Sequence, residues 1–232
     1  MKEQDALNFT DVLASTMHDA KNSLGMLYNT LEEILCRCQE NPCTVQQDFY
    51  SLQHEIKRLS NGMIRLLCLY KAQRDRLTMN VDLHCVGECL KEAVTQNAHV
   101  LSSRGIAIET DCPENLFWAF DYHLVLGVLD SILNNAYRYT RDQVVISATR
   151  EAPYLVIRVA DNGAGYPQEM LIDGNDPSQN VPPVVTGTRS TGLGLYFSSL
   201  VAKSHSNRGI TGFISTTNGG ILGGGQFSLY LP

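Results

Sequence analysis

Asp130-Ser-Ile-Leu-Asn-Asn-Ala-Tyr-Arg-Tyr-Thr140, Asp161-Asn-Gly-Ala-Gly165 and Thr191-Gly-Leu-Gly-Leu195 succeed one another through the second half of the sequence, and the residues around them decide its fold. The first closes a stretch, Asp121 to Tyr139, that reads as a helix with an apolar face. The second follows Leu155 to Val159, an apolar run of strand length, and Val144 to Ala148 and Gln226 to Leu231 are runs of the same kind. Gly105-Ile-Ala-Ile-Glu109 supplies another strand. Helical stretches alternating with such runs predict a two-layer α/β sandwich over residues 78–232, with Thr78 to Asp82 as the linker that leads into it.

Upstream the pattern changes. Leu13, Met17, Ala20, Leu24, Leu27, Leu31, Ile34 and Cys38 are spaced by alternating fours and threes, the seam of a helix in a bundle. Asn41-Pro42 stops that helix, because proline disfavours helical geometry in the preceding residue and has no N–H of its own. The alternation resumes at Phe49, Leu52, Ile56, Leu59, Met63, Leu66 and Tyr70, so a second helix of similar length runs back antiparallel. Residues 1–77 are therefore expected to form an antiparallel helical hairpin. Two amphipathic helices alone leave apolar surface in water, and a second copy covers it as a homodimeric four-helix bundle. The fold class expected for the whole chain is α+β.

Composition narrows the function. A chain of 232 residues with 44% hydrophobic and 18% charged residues buries a core without stapling. Its net charge of -6 gives no basis for attracting nucleic acid, which needs clustered Lys and Arg. No apolar run approaches the roughly 18–20 residues that cross a bilayer. Met1 to Thr10 has neither the basic region nor the apolar core of a secretion signal, so a cytoplasmic protein without membrane insertion is expected. The seven cysteines are scattered and odd in number, which favours reduced thiols. Cys36, Cys38 and Cys43 straddle a helix end without a matching second pair, and Cys85 and Cys89 also lack one, so neither group reads as a zinc site.

His18 lies one residue beyond the seam position Met17, on the flank of the expected bundle with its ring toward solvent. A single helical histidine is commonly a bystander, and His54, His84, His99, His123 and His205 are read that way. The neighbours of His18 set it apart, spelling His-Asp-Ala-Lys-Asn. A carboxylate at Asp19 can take the Nδ1 proton and leave Nε2 free as a nucleophile. Asn22, one turn on, shares the histidine's face and can place a water.

This run resembles the phosphoacceptor box of histidine kinases, with Ser23 where many members have proline. The Asp130–Thr140 stretch resembles the asparagine box of the Bergerat ATP-binding fold, with Ser131 where the family has a further asparagine. The resemblance makes Asn135 the magnesium ligand, a role for which an amide oxygen is a suitable hard donor. It places Arg138 on phosphate oxygens and Tyr139 beside the base. Asp161-Asn-Gly-Ala-Gly165 resembles the first glycine box, in which the aspartate accepts from the adenine amino group while Gly163 and Gly165 allow close approach. Gly192 and Gly194 resemble the second, opening a helix whose N–H groups receive phosphate. The segment Tyr166 to Ser190, rich in Gly, Pro and Asn, corresponds to the lid over ATP and lacks the family's phenylalanine-containing box. With the terminal Gly-Gly-Gly-Gln-Phe-Ser-Leu-Tyr-Leu-Pro232, the layout covers nearly the whole chain.

What the resemblance implies is a cycle with ATP and Mg2+ as cofactors. The γ-phosphoryl passes in line to His18 and then to an aspartate on a response regulator receiver domain, while Asn22 supports the reverse hydrolysis. A second reading stays open: a dimeric histidine phosphotransferase whose ATP domain has lost its nucleotide, favoured by Ser131 and the short lid. A third, an ATPase of the chaperone or mismatch-repair type, needs a glutamate in the asparagine box, and Ser131 cannot replace it. With few residues before the first helix, input is expected from an upstream sensory protein.

Overall fold

The computed structural model describes residues 77–174 and 193–232 and, before them, positions 24, 25, 27–29, 31, 32, 34, 52, 56, 59–64 and 68. The chain separates into two compact units, Met1–Leu77 and Thr78–Pro232.

In the first unit every described residue from Leu24 to Cys68 is helical. The described seam residues differ in burial, with Leu24, Ile34 and Met63 half-buried. Leu31 and Ile56 are buried, whereas Leu27, Leu52 and Leu59 are 54%, 51% and 49% exposed. His18, Asp19, Asn22 and the turn expected at Asn41-Pro42 lie outside the described residues.

The second unit opens with strand β1 (Val81–Cys85) and helix α1 (Val86–Ser103), followed by β2 (Ala107–Asp111), β3 (Phe117–Asp121) and helix α2 (Tyr122–Tyr139). The hairpin of β4 (Gln143–Glu151) and β5 (Tyr154–Asp161) leads, past a 3-10 turn at Gln168–Met170, to helix α3 (Leu193–Ser204). Short strands β6 (Ser206–Asn207) and β7 (Ile210–Thr211) precede β8 (Phe213–Asn218) and β9 (Gly225–Leu231). The main sheet runs β2-β4-β5-β9-β8, with β2 parallel to β4 and the other pairs antiparallel. β1 and β3 form a separate antiparallel ribbon. Val81 and Asp82, expected in the linker, are strand residues of that ribbon, paired with Asp121 and Phe120.

Alternation along the strands builds the core. Val144, Ile146 and Ala148 on β4, Leu155, Ile157 and Val159 on β5, Phe227, Leu229 and Leu231 on β9, and Ile214 on β8 lie on one face by register, and all are buried. The helices supply the second layer. Val125, Val128, Leu129, Ile132, Leu133 and Ala136 form the buried stripe of α2 at spacings of three and four. Asn97 of α1 donates to Asp130 of α2 at 3.2 Å, a buried polar link between the two helices.

Asp121 ties the start of this layer together. Its Oδ1 accepts from Leu124 N at 3.1 Å, capping α2, and its Oδ2 accepts from Asn80 N at 2.8 Å. Its own N–H donates to His205 Nε2 at 2.9 Å, and His205 Nδ1–H donates to Val201 O at 2.8 Å. His205 is thus a buried structural histidine. Burial lowers its pKa, against smaller upward pulls from the Val201 carbonyl and the Asp121 charge.

The folded state therefore holds His205 neutral, while the unfolded chain protonates it near its ordinary value of about 6.5. In that interval the unfolded state binds more protons, so stability falls as pH drops below about 6.5 until the depressed folded value is passed. Urea unfolding followed through Trp118, the chain's single tryptophan, is expected to show this loss between pH 8 and 5. His205→Gln should be less stable at pH 8 and flatter across the range; an unchanged pH profile would refute the assignment.

Candidate functional site

The alternation that buries Leu155, Ile157 and Val159 carries Asp161 to the same side at the end of β5, where the apolar row stops. The carboxylate is held by backbone. Oδ1 accepts from Gly163 N at 2.7 Å and Gly225 N at 3.3 Å, and the Asp161 carbonyl accepts from Gly224 N at 3.1 Å. With Oδ1 engaged, Oδ2 is the acceptor left for a ligand's donor.

The glycines are there because side chains would not fit. A β-carbon at Gly163 would stand 2.2 Å from the Tyr139 carbonyl oxygen, and one at Gly224 would stand 2.4 Å from the Asp161 carbonyl oxygen. Gly165 has φ +81°, a left-handed conformation that glycine adopts at no steric cost. The first glycine box thus lies directly against the end of the asparagine box. Beside that contact, Thr140 keeps a buried hydroxyl with no hydrogen-bond partner among the described residues. A carboxylate oxygen left over and an orphaned hydroxyl suit a polar ligand with donors and acceptors of its own.

Ser131, Asn135, Arg138 and Tyr139 share one face of α2 by their spacing of three and four. Ser131 is buried and Asn135 half-buried, while Arg138 and Tyr139 are exposed. The first turn of α3 meets this face: a β-carbon at Gly194 would lie 2.7 Å from Ser131 Oγ and 3.8 Å from Asn135 Nδ2. The three motifs quoted at the outset therefore converge on one end of the sandwich. Asn135, Arg138, Tyr139, Asp161, Gly163, Gly165 and Gly194 are all described there, whereas Gly192 lies outside the described residues.

Residues 121–232 match the profile of the histidine kinase-, DNA gyrase B- and HSP90-like ATPases. The second unit carries a histidine kinase-type ATPase core. Among similar curated proteins, the sensor protein SrrB of Staphylococcus aureus is 22% identical over 198 residues, covering 84% of this chain and 34% of its own. The chain thus spans about a third of the length of the curated relatives it matches. The Acinetobacter baumannii histidine kinase AdeS superposes with a TM-score of 0.57 at 17% identity, covering 88% of this chain and 93% of its own. Full-length ShkA, crystallised in complex with AMPPNP, gives 0.59 at 16% identity, covering 96% and 45%.

Several residues that frame the ATPase core escaped the sequence reading. Asn162 Oδ1 accepts from the N–H groups of Asp142 and Gln143, both at 3.2 Å, clasping the glycine box to the start of β4. Asn218 and Tyr166 exchange hydrogen bonds of 2.6 and 2.8 Å, which fix the chain after Gly165 to the end of β8. Burial, then the Asp161 charge, pushes the Tyr166 phenol up. The segment expected to be a lid also begins with structure, since Ile172 bridges to Thr216; positions 175–192 lie outside the described residues. Asn218 directly before Gly219-Gly220 was the available signal for a turn at the site.

Two glycine substitutions separate this geometry from ordinary helix propensity. Gly163→Ala must displace the glycine box or the end of α2 and is expected to destabilise the second unit by about 1–3 kcal/mol. Gly127→Ala, in mid-α2 with its β-carbon 3.6 Å from the Phe197 ring, should stabilise by about 1 kcal/mol. Urea denaturation read at Trp118 measures both, and equal effects would remove the steric argument.

Proposed function

We propose that the chain is an ATP-dependent histidine kinase of two-component signalling. In this reading residues 1–77 are the dimerisation and phosphotransfer hairpin and residues 78–232 bind ATP. The convergence of Asn135, Asp161 and Gly194 on one end of the ATPase core carries the proposal. Asp161 accepts from the adenine amino group, Tyr139 packs beside the base, and Arg138 and the N–H groups at Gly192 and Gly194 hold phosphate. Asn135 contributes an oxygen to Mg2+. The bound nucleotide supplies the γ-phosphoryl group. Asp19 withdraws the Nδ1 proton of His18 so that Nε2 attacks, and the phosphohistidine then passes its group to an aspartate of a response regulator. Asn22 places a water for the reverse, phosphatase, reaction.

The exposed seam residues Leu27, Leu52 and Leu59 support a homodimer. The absence, among the described residues, of any helix long and apolar enough to cross a membrane is compatible with work in the cytoplasm under the control of a sensory partner. Ser131, at the asparagine-box position where the family carries a second asparagine, favours the other reading, a histidine phosphotransferase that relays phosphate between response regulators without ATP.

Isothermal calorimetry distinguishes the two. The kinase is expected to bind Mg·ATP, and Asp161→Ala to abolish that binding while leaving the fold intact by circular dichroism. A wild type silent at millimolar ATP would transfer the assignment to the phosphotransferase.

Labelling locates the phosphoryl group. Purified dimer, checked by light scattering, should take acid-labile phosphate from γ-labelled ATP, and His18→Gln should take none. Asn22→Ala should be labelled normally yet dephosphorylate the regulator slowly. Label persisting in His18→Gln would sink the role of the first helix without touching the ATP site.

A further inference from the structure

Cys85 ends β1 at the N-cap of α1, and Cys112 follows the last residue of β2. They are distant in sequence but meet at Gly87. A β-carbon there would lie 3.8 Å from Cys112 Sγ and 4.0 Å from Cys85 Sγ, so both sulfurs border the one small space left by the missing side chain. Both residues are half exposed and both are free thiols. The corner that holds them is fixed by backbone: Val86 N donates to Leu116 O at 2.9 Å, and Cys85 is in register with Phe117 of β3. Among the described residues no group of three His, Cys, Asp or Glu could hold a metal ion.

A third thiol on the same helix provides the contrast. Cys89 is fully buried, and burial, then Glu92, pushes its pKa to about 12, which makes it inert. Cys112 is raised as well, by burial first, then by Cys85 and Asp111.

We propose that Cys85 and Cys112 are a redox-active dithiol, closed to a disulfide by a hydroperoxide and reopened by thiols. The Cys85 sulfur attacks the peroxide; an S–O bond forms, the O–O bond breaks, and the departing oxygen takes up the proton of the Cys85 thiol and leaves as alcohol or water. The resulting Cys85 sulfenic acid is attacked by the Cys112 sulfur. The S–S bond forms, the S–O bond breaks, and hydroxide leaves with the proton of the Cys112 thiol as water. Two thiols are oxidised by two electrons and one peroxide is reduced. Neither cysteine takes part in the proposed phosphoryl transfer, so the site stands apart from that reading.

The test uses the full chain treated with hydrogen peroxide, alkylated, digested without reduction and mapped by mass spectrometry. A Cys85–Cys112 linked peptide, lost on adding dithiothreitol, is expected in the wild type and absent from Cys85→Ser. In Cys112→Ser, oxidation should halt at a Cys85 sulfenic acid that dimedone traps. Linkage of Cys85 to any other cysteine, linkage between two chains, or both thiols still alkylatable after oxidation would overturn the proposal. Circular dichroism of the two serine variants confirms that they retain the fold.

Discussion

The approach of the Gly163 backbone to the Tyr139 carbonyl is the constraint on which the rest of the ATPase core depends. The last carbonyls of a helix have no partner within it, and they attract whatever backbone can come close. Here the loop after β5 comes close enough that no side chain fits between. That contact sets the distance from Asp161, held by Gly163 and Gly225, to the face of α2 that bears Asn135 and Tyr139. A rigid sheet end and a rigid helix end are joined with no intervening side chain, so the carboxylate and the amide keep a fixed relation.

The other end of the helical layer is held by polar groups. Asp121 caps α2, receives the Asn80 N–H and donates its own N–H to His205 near the end of α3. α2 is thus anchored at its start by hydrogen bonds and at its finish by close packing. At that finish Arg104 donates to the Tyr137 carbonyl and lies 5.1 Å over the Tyr137 ring, which satisfies a terminal carbonyl and places a cation at the negative end of the helix. Such bracing keeps the face of α2 that bears Asn135 and Tyr139 in place.

Much of this was legible in the sequence, and the exceptions have a common cause. Strands β4, β5 and β9 announced themselves because alternate residues must be apolar to cover a helical layer, and Asp161 and the glycines stood out as the places where that pattern breaks. Val81 and Asp82 read as linker because their ribbon leaves apolar residues in water: Leu83 is 70% exposed and Val81 47%. A strand that buries neither face strongly gives no periodic signal. His205 reads as a bystander in the sequence because its partners, Val201 and Asp121, come from different elements, and only the fold brings Asp121 to it. The meeting of Cys85 with Cys112 was hidden for the same reason, since pairing by spacing directs attention to Cys89 on the same helix.

Ser131 bears on the choice among readings. Its side chain is buried, and its hydroxyl occupies the room that a β-carbon at Gly194 would need, so the position serves the packing of α3 on α2. It presents neither charge nor base, which opposes an ATPase that activates water from this point. Under the kinase reading it leaves Asn135 as the amide ligand for Mg2+. That is physically sufficient, because Mg2+ dehydrates reluctantly and is held in such sites mainly by phosphate oxygens and retained waters. One amide then steers the metal and the phosphates hold it. The serine that weakens a family signature in the sequence is, in the fold, the residue that lets the second glycine box close on the first helix of the site.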